Sequence, residues 1–242
     1  MPLKFYLPEF SSGWLPFLQV NLAKQDLEAG FSFSPEEGVK TDWQTRAVSL
    51  AGGFDIPLTD QLTVSPALDY GILDLENDAD YFGVISTGVL QPAFENLLFD
   101  WDSKARLIGA SLSVQYQNQF AGKELAVHGT LTRNYVDSYS ESSQAVAFSQ
   151  GVTTFTLDGE IILPTSLTIF DRPLAIVPQA NYTTFVGSNR DQLGFSDFAK
   201  IGVAGEIDIS SLDYGIDKIR LGLELVKGRD VRGVVLEIGY RY

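Results

Sequence analysis

Cysteine is absent from the 242-residue chain, and histidine occurs only once, at His128. The lack of thiols excludes disulfide bonds, thiolate metal sites and cysteine nucleophiles. The sequence also has no Gly-rich phosphate-binding loop and no His/Cys set with the spacing of metal ligands. We therefore predict that the protein binds no cofactor.

Long apolar runs are missing as well. No window holds the ~18 uncharged apolar residues that a membrane-spanning helix needs, although apolar residues make up 45% of the chain. Membrane barrels cross the bilayer with strands of about 9–11 residues that are only half apolar. The absence therefore excludes a helical membrane protein and leaves a barrel possible.

Positive charge is scarce, because 17 Lys and Arg stand against 31 Asp and Glu, a net charge of −14. Nucleic-acid binders carry a basic patch, and no Lys/Arg cluster exists here, so no nucleic-acid partner is expected. Residues 1–13 do not resemble a signal peptide, since Pro2, Pro8 and Glu9 interrupt any apolar segment and Lys4 is the only early cation. If the protein is exported, we expect that its signal has been removed.

Alternation of apolar and polar residues is the main pattern that is present. It predicts an irregular lead-in at residues 1–13 and a single all-β domain over 14–242, with about ten antiparallel strands. The predicted strands are 14–24, 44–57, 62–73, 105–119, 124–135, 152–163, 174–186, 198–209, 218–226 and one from about 231 to the chain end. Mid-strand positions of the apolar faces contain no charged residue, whereas the opposite faces are small, polar or charged.

The orientation of the two faces decides the class of protein. A soluble barrel or sandwich places the apolar face inside, and a soluble all-β ligand carrier is one interpretation. The clustering of charges and of Ser, Gly and Ala on one face favours the reverse, a closed transmembrane β-barrel. We then expect Leu112, Val203, Leu221 and Leu236 to point outward and Glu206 and Arg220 to lie inside. An even strand number, with long connections alternating with short ones, places both termini in the periplasm.

The final hairpin, residues 219–242, resembles the closing hairpin of bacterial outer-membrane β-barrels. The C-terminal signal of those barrels has a terminal aromatic residue and another two positions earlier, which Tyr242 and Tyr240 match, whereas its upstream glycine is replaced by Glu237. The whole chain is similar to the solitary autotransporter-like outer-membrane barrels, which lack a passenger domain. Autotransporter barrels have twelve strands, a number that an extra hairpin between residues 25 and 50 would supply.

This resemblance implies several properties of the protein. It implies a location in the bacterial outer membrane, contact with the lipid bilayer, and recognition of the C-terminal strand by the barrel-assembly machinery. It also implies a structural, passive-transport or surface-contact function, and we expect a monomer.

Seven charged residues fall on the polar faces of the last three strands: Lys200, Glu206, Asp208, Arg220, Glu224, Glu237 and Arg241. They can form a salt-bridge network that fills the interior, in which the partners offset one another's desolvation, or they can line a channel. Because interior width grows with strand number, about ten strands favour the network.

His128 is the only candidate for catalysis. It shares a polar face with Thr130 and Thr132. The architecture also resembles that of outer-membrane lipid hydrolases, in which a His and a Ser form a nucleophile pair on the lipid-facing surface. The predicted strand phase places His128 on the interior side. We therefore favour a histidine hydrogen-bonded to neighbouring hydroxyls and predict that the protein is not an enzyme, with a lipid hydrolase as the alternative.

Four alternating acidic residues, Asp74, Glu76, Asp78 and Asp80, lie in the predicted long connection 74–103. Calcium binds clusters of carboxylate oxygens, but this run lacks the spacing and the glycine of a known calcium loop. We favour a solvated acidic loop over a calcium site.

Overall fold

The computed structural model describes residues 2–95, 99–186, 196–210, 217–229 and 231–241. These residues form an antiparallel sheet of eleven strands that pair in the order of the chain. The strands are β1 (Pro2–Tyr6), β2 (Leu15–Ser34), β3 (Glu37–Thr59), β4 (Leu62–Phe82), β5 (Trp101–Phe120), β6 (Lys123–Glu141), β7 (Ser149–Ile169), β8 (Arg172–Val186), β9 (Asp197–Asp208), β10 (Lys218–Gly228) and β11 (Arg232–Arg241). A π-helical turn (Ser86–Leu90) leads into the helix α1 (Gln91–Phe94), and a 3₁₀ turn spans Gln144–Val146.

The strand number differs from the predicted ten because the lead-in contains β1. This strand pairs with β2, with Phe5 opposite Leu18, and the Lys4 ammonium lies 3.9 Å from the centre of the Phe17 ring. The extra hairpin proposed between residues 25 and 50 is not present, because β2 and β3 meet at a tight turn at Pro35 and Glu36. Because the sheet has eleven strands, the argument from an even strand number for placing both termini in the periplasm does not apply.

Several strands run far beyond their apolar stretches. The predicted connection 25–42 is largely strand and those at 74–103 and 136–151 are partly strand, because β2 extends to Ser34, β4 to Phe82 and β6 to Glu141. In these extensions the backbone ladder continues while the outer positions become charged, as in Asp74 and Glu76 of β4 after Ile72. Hydrophobic alternation detects only the segment whose outer face is apolar, which is why the predicted strand ends were wrong.

The two faces of the sheet have the predicted, inverted character. Leu112, Val203, Leu221 and Leu236 are 47%, 52%, 57% and 63% exposed, whereas Glu206 and Arg220 are 2% and 9% exposed. We call the side that carries the exposed Leu, Ile and Val residues the apolar face and the other side the polar face. In the described ranges, no helix is long and apolar enough to cross a bilayer. A soluble carrier would bury these aliphatic side chains, so that interpretation is not favoured.

The chain divides into two compact units. The first comprises residues 1–54, 67–110 and 133–151, and the second comprises residues 55–66, 111–132 and 152–242. In the first unit Val39, Asn77 and Ala105 are among the most buried residues. In the second, Ile162, Val177 and Ala204 form a small apolar cluster, with Ala175 packed against it.

Candidate functional site: an ion-pair network on the polar face

The network lies in the second unit and is positioned by the register of three strands. Glu206 of β9 lies opposite Arg220 of β10, and Arg220 lies opposite Gly239 of β11. Small residues leave room for the long charged side chains. A Cβ atom at Gly202 would lie 2.5 Å from the Leu223 carbonyl oxygen and 2.8 Å from Cγ of Glu224, so glycine is the residue that lets the Glu224 side chain pack at this position.

Arg220 is the centre of one half of the network. Its Nη2 atom lies 2.7 Å from Oε2 of Glu206, and its guanidinium also donates two hydrogen bonds to the Glu160 carboxylate. Lys218 approaches the other oxygen of Glu206, with Nζ 3.1 Å from Oε1. The planar guanidinium thus binds two carboxylates at once, which is the geometry in which arginine differs most from lysine.

Glu224 is the centre of the other half. Its carboxylate accepts a hydrogen bond of 2.8 Å from Nζ of Lys200 and one of 3.2 Å from Nε2 of Gln179. The same amide nitrogen of Gln179 also donates to Glu237. Gln179 therefore joins carboxylates of β10 and β11, although it lies on β8.

Of the seven predicted network residues, Lys200, Glu206, Arg220 and Glu224 form ion pairs on this part of the polar face. Glu237 is held through Gln179. Three further partners, Glu160, Gln179 and Lys218, were not among the predicted residues. Their polar-face position can be read from the alternation in β7, β8 and β10, but no sequence pattern reports which strands they reach.

Asp208 and Arg241 stand apart from these ion pairs. The Asp208 carboxylate accepts hydrogen bonds of 2.9 Å from the Ser210 backbone nitrogen and 2.6 Å from its hydroxyl. The backbone of Arg241 pairs with Lys218 and that of Tyr240 with Ile219, but the side chains of Arg241 and Tyr240, and all of Tyr242, lie outside the described residues. The C-terminal assembly signal therefore stays a prediction.

His128 lies on the polar face, as predicted, and is exposed there. Its Nε2 atom is 3.2 Å from the Thr130 hydroxyl, which is 3.0 Å from the Ser113 hydroxyl. On the other side, Nδ1 lies 4.0 Å from a carboxylate oxygen of Asp158, which is longer than a hydrogen bond. A nucleophile pair on the apolar face, which a lipid hydrolase of this architecture would need, is not formed by His128.

The acidic residues Asp74, Glu76, Asp78 and Asp80 lie on the strand β4 and not in a loop. Alternate residues of a strand are about 6.6–6.8 Å apart along its axis, so their carboxylates are spread along the sheet. Among the residues that the structure describes, no group of three or more acidic or histidine side chains is arranged to hold a metal ion. The calcium interpretation gains no support.

An antiparallel sheet that exposes aliphatic side chains on one face and holds ion pairs on the other is the arrangement of a transmembrane β-barrel. In agreement, residues 1–241 match the family model of the solitary outer membrane autotransporter β-barrel domain. The chain belongs to this family. It is an autotransporter-type β-barrel domain, and domains of this kind reside in the bacterial outer membrane.

Two solved structures share the fold. The β-domain of the Bordetella autotransporter BrkA is 9% identical with a TM-score of 0.51, covering 100% of this chain and 96% of that one. The translocator domain of the autotransporter NalP from Neisseria meningitidis is 11% identical with a TM-score of 0.52, covering 94% of this chain and 83% of that one. A comparison with curated proteins finds no match.

Proposed function

We propose that this domain stands in the outer membrane as a monomer with a filled interior, and that it acts as a structural or surface-contact module and not as an open channel. In this proposal the apolar face contacts lipid and the polar face is the interior wall. The C-terminal strand β11 is the segment that the barrel-assembly machinery binds. The domain has no catalytic activity, because His128 lacks a hydrogen-bonded carboxylate and does not lie on the lipid side.

The observation that carries the filled interior is the burial of the polar face in the second unit. Val177 is fully buried, and Glu206, Glu224 and Arg220 are nearly so. Side chains that line a wide aqueous channel would be hydrated. Here the buried carboxylates and the Arg220 guanidinium are paired with neighbouring charges. Ion pairs that satisfy each other in this way reduce the interior's affinity for passing ions.

Conductance in a planar lipid bilayer tests the proposal. We expect the wild-type protein to insert without giving a steady single-channel current, because the network closes the interior. The Glu206→Ala/Arg220→Ala variant removes two adjoining side chains and should give a measurable, unstable leak. The His128→Ala variant, also on the polar face, is the control and should behave as wild type. A constant ohmic current from folded wild-type protein would contradict the proposal.

A further inference from the structure

Asn77 is an unusual residue in the first unit. Its side chain is 0% exposed, and neither its amide nitrogen nor its amide oxygen has a hydrogen-bond partner. The hydroxyl of Ser103, also 0% exposed, has none either. Each such group costs about 1–3 kcal/mol of stability, so their presence calls for a specific explanation. A ligand that hydrogen-bonds to these groups is one such explanation.

Two tryptophans lie on the strands that flank Asn77. A Cβ atom at Gly71 would contact Ser49 of β3, and one at Gly109 would lie 3.4 Å from Cβ of Asp69, which identifies facing residues on β3, β4 and β5. The same pairing, continued along the antiparallel strands, places Trp43 of β3 and Trp101 of β5 on either side of Asn77. Their ring centroids are 5.4 Å apart in an edge-to-face arrangement. The two indoles therefore meet on the face of the sheet that carries the Asn77 amide.

The same-face strand neighbours of Asn77 carry no formal charge, and the nearby Asp100 carboxylate accepts a hydrogen bond of 2.8 Å from the Ala79 backbone nitrogen. The same-face residues on the three strands are Val39, Thr41 and Trp43 of β3, Leu75, Asn77 and Ala79 of β4, and Trp101, Ser103 and Ala105 of β5. The charged residues of these segments, among them Asp78 and Arg106, occupy the alternate positions of the opposite face. A site of this composition disfavours phosphates, carboxylates and metal ions, because nothing offsets their desolvation.

The available groups match the chemistry of a sugar. A primary amide offers two donors and one acceptor oxygen, and a serine hydroxyl can donate and accept, which suits adjacent hydroxyl groups. Indole faces suit the apolar C–H side of a pyranose ring, in a site that combines aromatic walls with a few polar groups. Trp43 is 38% exposed, so one indole can be reached from solvent and can move without disturbing the sheet.

We propose that Trp43, Asn77, Trp101 and Ser103 form a binding site for a neutral saccharide. The sugar ring enters between the two indoles, packs against them, and hydrogen-bonds through its hydroxyls to the Asn77 amide and the Ser103 hydroxyl. The edge-to-face indole pair is the closed form of the site, and ligand binding separates the rings. This inference concerns only the first unit and does not depend on whether the interior of the second unit conducts.

Intrinsic fluorescence gives a direct test, because the chain has only three tryptophans and two of them form the site. The full chain is folded in an amine-oxide detergent, which carries no sugar headgroup, and titrated to about 1 mM, the weak end of specific affinity. The probes are neutral hexasaccharides of glucose, mannose, galactose and N-acetylglucosamine, with a hexamer of galacturonic acid as the charged comparison. We expect a saturable spectral change with at least one neutral probe and none with the acidic one.

Three variants make the test specific. Trp14→Phe removes the third indole, which packs beside Phe54 at 6.2 Å, and should retain the change. Asn77→Leu replaces the unpaired amide by an apolar group of similar size and should abolish the change while preserving heat-modifiable folding. If Asn77→Leu does not fold, Ser103→Ala takes its place, with at least a tenfold loss of affinity expected. The proposal is overturned if no neutral probe gives a saturable change, if the acidic probe binds equally well, or if the folded Asn77→Leu or Ser103→Ala variant binds as wild type.

Discussion

Replacing Arg220 by methionine is expected to lower the free energy of unfolding by about 3–5 kcal/mol, the cost of breaking a buried ion pair from one side. The guanidinium holds Glu206 and Glu160 together. Without it, Glu206 loses its hydrogen bonds from the guanidinium, its ion pair with Lys218 is to a side chain that is a third exposed, and Glu160 loses a cation. Methionine fills similar volume, so the loss reflects mainly charge and hydrogen bonding.

Urea unfolding in lipid vesicles, followed by tryptophan fluorescence, measures this effect. The matched control is Arg106→Met, because Arg106 pairs with Asp137 at an exposed site, with 53% of its side chain accessible. Exposed pairs contribute about 0–1 kcal/mol, so this variant should unfold close to wild type. The double variant Arg220→Met/Glu206→Gln should recover part of the loss, since it removes the buried charge that has lost its guanidinium partner. Equal destabilisation by the two arginine variants would show that the Arg220 network is as solvated as the surface pair.

Placing an arginine at Leu223 is expected to destabilise the folded protein by about 2–4 kcal/mol in lipid bilayers, the cost of a cation at the bilayer midplane. Leu223 lies in the middle of β10, between Val203 of β9 and Leu236 of β11. All three side chains are exposed on the apolar face, so the arginine would have no protein partner there and would face hydrocarbon.

The matched control for this substitution is Ile219→Arg on the same strand and face. Ile219 lies near the end of the apolar stripe, where the penalty falls to about 0–1 kcal/mol. Reversible unfolding from vesicles of short-chain lipid measures both variants under the same conditions. If the two substitutions lower the free energy of unfolding equally, the cost of an arginine on the apolar face does not depend on membrane depth. The assignment of this face to lipid then fails.

The sequence predicts the centre of each strand and the face of each residue well, for a physical reason. A strand between lipid and a polar interior has a strict period of two, and Val203, Glu206, Arg220 and Leu221 all lie on the predicted side. The strand ends are less predictable, because beyond the apolar stripe both faces of β4 can be polar while the backbone ladder continues. The short strand β1 was missed for a related reason, since five residues are too few for alternation to stand out.

The candidate sites show the same division. That Lys200, Glu206, Arg220 and Glu224 share a face follows from period two alone. That Arg220 also reaches Glu160 does not, since two strands lie between β10 and β7 in the sheet. The contact between Trp43 and Trp101 likewise depends on the register of β3, β4 and β5. The unequal lengths of the connections between these strands do not reveal that register. Contacts between strands distant in sequence therefore required the structure.

The orientation of the apolar face is tested most directly by nitroxide labels in the folded protein in bilayers. Because the chain has no cysteine, each introduced cysteine carries the only label. The outer positions are Leu112, Val203, Leu221 and Leu236, and the comparison positions on the polar face are Ser111 and Thr132. Oxygen concentrates in hydrocarbon, so we predict that the outer labels are accessible to oxygen and inaccessible to a water-soluble nickel complex. We predict that the polar-face labels are not accessible to oxygen. Outer labels that are shielded from oxygen, or open to the nickel complex, would contradict the account.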